Sequence, residues 1–239
     1  MKVILLTDIH ANLPALQAVV KAVERQGYDL LYHAGDAIGI GPFPQEVIEV
    51  LSELNSAKFV QGNHDALFVH GIPDPRPTRI SDGEARHQQW THDQLEGQWR
   101  AWMSSWPYQI DEEIDGVKLS VLHYGIRGPI GKFKAFIPHP PTVGALDELF
   151  TGVSGSIVCY GHNHHHSDVK GARHYVNVGS LGCFTRPEAR YAVLEISRGT
   201  YKLEYKSVSY DYGVLLKAFE RRQVPERAFI YDAFFGGRW

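Results

Sequence analysis

Five short apolar runs in this chain each end in residues of metal-binding type. Asp8-Ile9-His10 closes the run Val3–Thr7, Gly35-Asp36 follows Leu30–His33, and Gly62-Asn63-His64-Asp65 follows Lys58–Val60. His123 ends Val117–His123, and Gly161-His162-Asn163-His164 follows Ser156–Tyr160. Runs of this length and composition read as buried strands. In open α/β sheets, ligands bind beyond the carboxyl ends of the strands. Five such endings in one chain favour a fold that gathers them on one side around a shared cation site.

The intervening segments agree. Leu16, Val19, Val20 and Val23 recur at i, i+3, i+4, i+7, the apolar face of a helix. Asn12 is placed to cap it, Pro14 falls in its first turn, where a missing N–H costs nothing, and Gly27 ends it. Val47, Val50, Leu51 and Leu54 mark a second helix. A β-α-β-α-β order of this kind predicts a parallel sheet with right-handed crossovers.

The stretch from about Ala66 to Tyr108 breaks that rhythm. Gly71, Pro73, Pro75 and Pro77 make its start a loop. Leu95, Trp99, Trp102, Met103 and Trp106 repeat at helical spacing, which predicts an amphipathic helix packed on the core. Four of the five tryptophans (Trp90, Trp99, Trp102, Trp106) lie here, so a lid or a partner surface is the alternative reading.

Beyond Pro107 the pattern is β-rich. Tyr108–Ile114 and Val117–His123 are joined by Asp115-Gly116, a strong hairpin signal. Thr142–Phe150 predicts a helix. Tyr175–Val178, Tyr191–Ser197 and Tyr201–Val208 predict strands, the last two joined near Arg198-Gly199. Helices around Tyr210–Arg222 and Pro225–Phe234 close the chain. The expected fold class is α/β, with two packed mixed β-sheets flanked by helices. A single domain over residues 1–239 would carry a Trp-rich helical insertion at about 66–108.

Bulk properties exclude several classes. The 239 residues suffice for a sizeable core. With 24 basic against 27 acidic residues the net charge is −3, so no global field draws in bulk nucleic acid or an anionic membrane. The apolar run at the N-terminus is too short for a secretory signal, and no stretch approaches the roughly 20 apolar residues that span a bilayer. Cys159 and Cys183 are the only cysteines and make no disulfide framework, so a cytoplasmic location is expected. The patterning specifies no oligomeric state.

Taken singly, the site residues have ordinary alternatives: Asp8 as a helix cap, Gly-Asn-His-Asp as a turn, His123 as a structural imidazole. Taken together they form a set rich in carboxylate, amide and imidazole with no thiolate. Asp8 and His10, two apart at a strand end, fall on the same side, as do His162 and His164. Asp36 has two oxygens and could bridge two ions. Asn63 offers a neutral carbonyl oxygen, which suits a site already holding negative charge. Such a set fits Mn²⁺, Fe or Zn²⁺ better than a structural zinc site. His165 and His166 read as solvated or supporting. Cys183, near the expected site, reads as a small inert residue.

In this order, the five motifs resemble those of the calcineurin-like metallophosphoesterases. The likeness covers Met1 to about Glu195. The segments Thr-Asp-Ile-His-Ala-Asn-Leu at the start, Gly-Asp-Ala-Ile-Gly-Ile-Gly-Pro at 35–42 and Asn-Val-Gly-Ser-Leu-Gly at 177–182 are similar to the small prokaryotic phosphodiesterase branch. The resemblance implies an αββα sandwich. It implies one divalent ion on Asp8, His10, Asp36 and His164, and a second on Asp36, Asn63, His123 and His162, with Asp36 bridging. It makes His64 the catalytic imidazole, oriented by Asp65. Tyr124 stands where the family often has Gly, and Asn163 replaces a commoner Thr.

The expected activity is hydrolysis of small phosphoesters, by a phosphodiesterase or phosphatase. Metal-activated hydroxide would attack phosphorus while His64 acts as acid. The two ions would be Mn²⁺ first, with Fe, Zn²⁺ or Ni²⁺ as alternatives. Dinucleoside polyphosphate hydrolysis and protein dephosphorylation are variants within the family; a non-catalytic metal-binding interaction scaffold is the rival from another class. Arg127 and Arg186, with Lys132 and Lys134, are the candidate substrate contacts.

Overall fold

The computed structural model describes residues 1–127 and 132–237. Its strands are β1 (Lys2–Leu6), β2 (Leu30–His33), β3 (Ala57–Phe59), β4 (Gln109–Ile114), β5 (Val117–Leu122), β6 (Ile157–Tyr160), β7 (Ser167–Lys170), β8 (His174–Asn177), β9 (Glu188–Ser197) and β10 (Thr200–Ser209). Its helices are α1 (Leu13–Gln26), α2 (Pro44–Glu53), α3 (Asn63–His70), α4 (Asp82–Asp93), α5 (Gly97–Ser104), α6 (Val143–Leu149), α7 (Tyr212–Arg221) and α8 (Arg227–Phe235). No helix among the described residues is long and apolar enough to cross a membrane.

The strands form two five-stranded mixed sheets, in the orders β10-β9-β1-β2-β3 and β4-β5-β6-β8-β7. β1, β2 and β3 run parallel in the first, and β5, β6 and β8 in the second. Alternation along β1 assigns its two faces. Val3 and Leu5 join Leu119, Val121, Ile157, Cys159 and Val176 in the core between the sheets. Ile4 and Leu6 face the other way, into a second core with α1, α2, α7 and α8. A third cluster, built on Leu146, Leu149, Tyr160 and Tyr175, covers the outer face of the second sheet. Helices outside two stacked sheets are the layers the patterning predicts.

Local chemistry accounts for the boundaries. The Asn12 side chain accepts from Ala15 N–H at 3.2 Å and starts α1. Asp115-Gly116 and Arg198-Gly199 both have positive φ at both residues, as two-residue hairpin turns between right-twisted strands require.

Three elements escaped the pattern. α3 runs from Asn63 to His70, through residues that read as a turn and the start of a loop, and buries only Asp65 and Phe68, too little for an apolar period. β7 is a four-residue edge strand, Ser-Asp-Val-Lys, too polar and short to stand out. In the insertion, the predicted Trp helix shrinks to α5, with Trp106 beyond its end, and α4 precedes it. α4 buries His87, Gln88 and Thr91, so its inner face carries no apolar periodicity. Trp106 stacks on Phe59 at 4.9 Å and Trp102 meets both rings edge-on, which fastens the insertion beside β3.

Candidate metal centre

The loops that leave the parallel strands are laced to one another. Asp8 N–H donates to the Gly35 carbonyl and His10 N–H to the Asp36 carbonyl, both at 3.0 Å, and Gly161 N–H donates to the His123 carbonyl at 2.9 Å. Ser180 Oγ donates to the Asp8 carbonyl at 2.7 Å. Gly62 allows the third loop to approach: a Cβ there would lie 2.1 Å from Asp36 Oδ1. This lacing brings all seven predicted ligands together. Asp8, His10, Asp36, His162 and His164 take positive φ, between 49° and 76°. Left-handed backbone costs an L-residue roughly 1–2 kcal/mol and collects at functional sites.

The donor atoms form two groups that share Asp36. In one, His10 Nε2 lies 2.8 Å from His164 Nε2, 3.6 Å from Asp8 Oδ1 and 3.9 Å from Asp36 Oδ2. His164 Nε2 is 3.5 Å from Asp8 Oδ1. In the other, His123 Nε2 lies 3.2 Å from each of Asp36 Oδ2, Asn63 Oδ1 and His162 Nδ1. An ion bound at about 2.0–2.2 Å holds adjacent ligand atoms about 3–3.5 Å apart, so the spacing fits the edges of a coordination shell.

Outer contacts orient the rings. His123 Nδ1–H donates to the Ala34 carbonyl at 2.8 Å, and His10 Nδ1–H to the Ile38 carbonyl at 3.3 Å. Each proton is thereby placed on Nδ1, and Nε2 turns toward the centre, the tautomer a metal ligand needs. With its proton on Nδ1, His10 Nε2 accepts from His164 Nε2–H at 2.8 Å, and a bound cation would take the place of that shared proton.

The electrostatics carry the same mark. Burial opposes charge on His123, but the Asp36 carboxylate outweighs it and raises the ring to about 9. Burial would raise Asp36; the imidazoles of His123 and His64 hold it well below the carboxylate range instead. Burial pushes His162 down to about 3, helped by charge on His123, and also lowers His164. A bound cation would take the place of the His123 proton, and the donors present therefore fit a divalent ion.

A calcineurin-like phosphoesterase superfamily domain matches residues 1–199. The chain belongs to that superfamily. Over 98% of its length it is 24% identical to 97% of the uncharacterized protein MJ0912 of Methanocaldococcus jannaschii. The hypothetical protein PH1004 of Pyrococcus horikoshii OT3 superposes on all of it with a TM-score of 0.81, at 21% identity and 99% coverage of that chain. A metallophosphoesterase from Sphaerobacter thermophilus superposes with a TM-score of 0.71 and 24% identity over 95% of each chain. These likenesses establish the fold: two mixed sheets with flanking helices.

Other members of the expected site lie differently. Among the described residues Asp65 makes no hydrogen bond to the His64 ring. Its carboxylate accepts from the backbone N–H groups of Asp36 (2.8 Å), Ala37 (3.0 Å), Ile38 (3.4 Å) and Gly62 (2.9 Å), which makes it the keystone of the two loops. Burial pushes its carboxyl up to about 7, with the charge of Asp36 adding to the shift and the N–H donors of Gly62 and Asp36 opposing it. Arg127 is exposed, and Arg186 lies over Phe184 with its charge near Glu188. Lys134 donates to the carbonyls of Glu148 and Leu149 at the end of α6. Among the described residues none of these three makes a hydrogen bond or ion pair with a ligand of the cluster. His165 and His166 are exposed, stacked on His139 and against Tyr205. Cys183 Sγ lies within 4.8 Å of ring nitrogens of His10 and His164, and burial raises its thiol well above the ordinary value.

Sequence reasoning missed two contributors. Arg190 donates to the carbonyls of His164 (3.0 Å) and Ser180 (3.2 Å), bracing the last ligand loop. Gln88 places Nε2 2.5 Å from His64 Nδ1. No sequence signal marked the second, because α4 has no apolar period to show which face is buried.

Proposed function

We propose that this chain is a hydrolase of small phosphoesters, a phosphodiesterase or phosphatase, dependent on two divalent ions that share Asp36. The observation that carries the reading is the position of Asp36 Oδ2, which faces His123 Nε2 at 3.2 Å and His10 Nε2 at 3.9 Å and so belongs to both donor groups. Asp8, His10 and His164 would complete one shell, and Asn63, His123 and His162 the other. Held there, divalent ions polarise a phosphoryl oxygen and acidify coordinated water. Mn²⁺ suits the oxygen and imidazole donors, with Fe, Zn²⁺ and Ni²⁺ as alternatives.

His64 is the acid in this reading. Its backbone N–H donates to Asp36 Oδ1 at 2.9 Å, which ties its main chain to the shared carboxylate. Burial pushes the ring down to about 3 against the pull of Asp36. A phosphoester anion beside it acts in the same direction as Asp36 and favours the protonated ring. The imidazolium then gives its proton to the leaving oxygen as the phosphorus–oxygen bond breaks, water supplies the new bond to phosphorus, and the ring is reprotonated from solvent. Neither cysteine suits a nucleophilic role, since burial raises Cys159 to about 12 and Cys183 well above its usual value. Two buried, unpaired thiols also fit the reducing cytoplasm we propose as its location.

The test is metal analysis of protein purified without chelator, then assay with Mn²⁺ on a bis-aryl phosphodiester, a mono-aryl ester, a dinucleoside polyphosphate and single-stranded DNA. Bound metal with turnover of an aryl ester is the expected result. Stoichiometric metal with no turnover on any substrate would favour a binding scaffold instead.

A further inference from the structure

We propose that Gln88, carried by the insertion helix α4, positions the His64 ring, so that the insertion completes the acid half of the site. The proposal rests on the role given to His64 above. Gln88 is fully buried, and its side-chain Nε2 lies 2.5 Å from His64 Nδ1. No other side chain among the described residues bonds to that ring. Asp65, adjacent in sequence, spends its carboxylate on backbone N–H groups. The loop after β2 supplies no side chain either, because position 39 is glycine with φ +80°, and a Cβ there would lie 2.5 Å from His64 Nδ1. The ring's partner must therefore come from outside the strand-end loops, and α4 provides it.

The inner face of α4 supports a role beyond packing. His87, Gln88 and Thr91, at i, i+1 and i+4, are all buried there. The Gln88 amide oxygen, Thr91 Oγ1 and His87 Nε2 have no hydrogen-bond partner among the described residues. An apolar side chain would serve better if the helix only filled space, since a buried polar atom left unpaired is costly. The imidazolium carries a proton on Nδ1, and the same amide turned end for end presents its otherwise unpaired oxygen to accept it, which fixes the ring plane and leaves Nε2–H for the leaving oxygen. α4 is itself held in place. His87 Nδ1–H donates to the Pro225 carbonyl at 3.2 Å, and Arg86 pairs with Glu226 at 2.7 Å.

Gln88→Met keeps the volume and removes the amide, whereas Gln88→Glu keeps the shape and an acceptor. In the Mn²⁺-loaded full chain, Q88M should lower kcat about tenfold or more for an alkyl phosphoester, whose leaving oxygen needs a proton, and less than about threefold for a p-nitrophenyl ester. KM and metal content should hold, and Q88E should recover most of the alkyl activity. In a His64→Ala background, Q88M should add nothing. Equal losses on both leaving groups, a loss that adds to that of H64A, or no loss would overturn the proposal. A readout free of turnover is the ¹⁵N spectrum of the His64 ring in the Zn²⁺-loaded chain. One fixed tautomer is expected in the wild type and an averaged ring in Q88M; unchanged ring signals would also overturn it. If Q88M does not fold, Q88E alone should shift those signals, and signals it leaves unmoved count against the proposal. A fixed ring in a wild type that hydrolyses nothing would sink the proposed function and leave this inference standing.

Discussion

The strand-end cage and the insertion helix α4 meet at His64 and are built on different terms. In the cage, backbone bonds cross between loops at 2.9–3.0 Å, five ligand candidates take left-handed backbone, and among the described residues no fully buried polar atom of the seven ligand side chains is left unpaired. On α4, the helix is regular, but three buried polar atoms of its inner face have no partner among the described residues. The cage is over-determined, which is how strained residues persist, and it suits a cation whose geometry tolerates little error. The helix is a separable element laid over the finished cage. We read the first as setting the chemistry and the second as tuning it.

The sharpest way to break this division is Asp36→Asn. Loss of the shared carboxylate should lower affinity in both donor groups, by more than the roughly 10–100-fold that loss of a supporting partner costs. Metal content by mass spectrometry checks it; full occupancy would remove the bridging role. Next is His64→Ala, expected to retain metal and lose about 10²–10⁴ in kcat toward substrates with poor leaving groups. Near-normal turnover in that variant would strip His64 of its role and leave α4 nothing to tune.

A subtler effect is the pH dependence of metal binding. His123, raised to about 9 beside Asp36, carries a proton below that pH that must leave before Nε2 can coordinate. Apparent affinity should therefore rise about tenfold per pH unit up to about 9 and level beyond it. Titration against a chelating dye measures this, and a flat profile would mean that the ring does not ligate. The smallest effect is expected from Arg86→Ala. The ion pair with Glu226 is largely exposed, so its loss should cost under about 1 kcal/mol by thermal melts. A marked fall in kcat from that change would show that α4 is poised more delicately than the contrast above allows.

The legible parts of the molecule were those with local signals. The strands before Asp8, Asp36, Asn63, His123 and His162 were readable because each is an apolar run cut off by turn residues. The helix α1 was readable from its period and its caps. The hairpins at Asp115-Gly116 and Arg198-Gly199 followed from the left-handed φ those pairs tolerate. β7 and α4 were not readable, because one is a short polar edge and the other buries a polar face, so neither has an apolar period. Arg127, Arg186 and Lys134 were attractive as cations near the motifs in sequence, yet each has other company: solvent for Arg127, Phe184 and Glu188 for Arg186, helix carbonyls for Lys134.

By itself, the sequence determined which donors exist and that they stand at strand ends, since strand periodicity and turn chemistry act over a few neighbouring residues. Tertiary structure alone decided that one oxygen of Asp36 faces both donor groups, that carbonyls of Ala34 and Ile38 set the tautomers of His123 and His10, and that Gln88 rather than Asp65 meets His64. Those outcomes depend on distances between atoms remote in the chain. Sheet stacking and helix docking set such distances, and no local pattern records them.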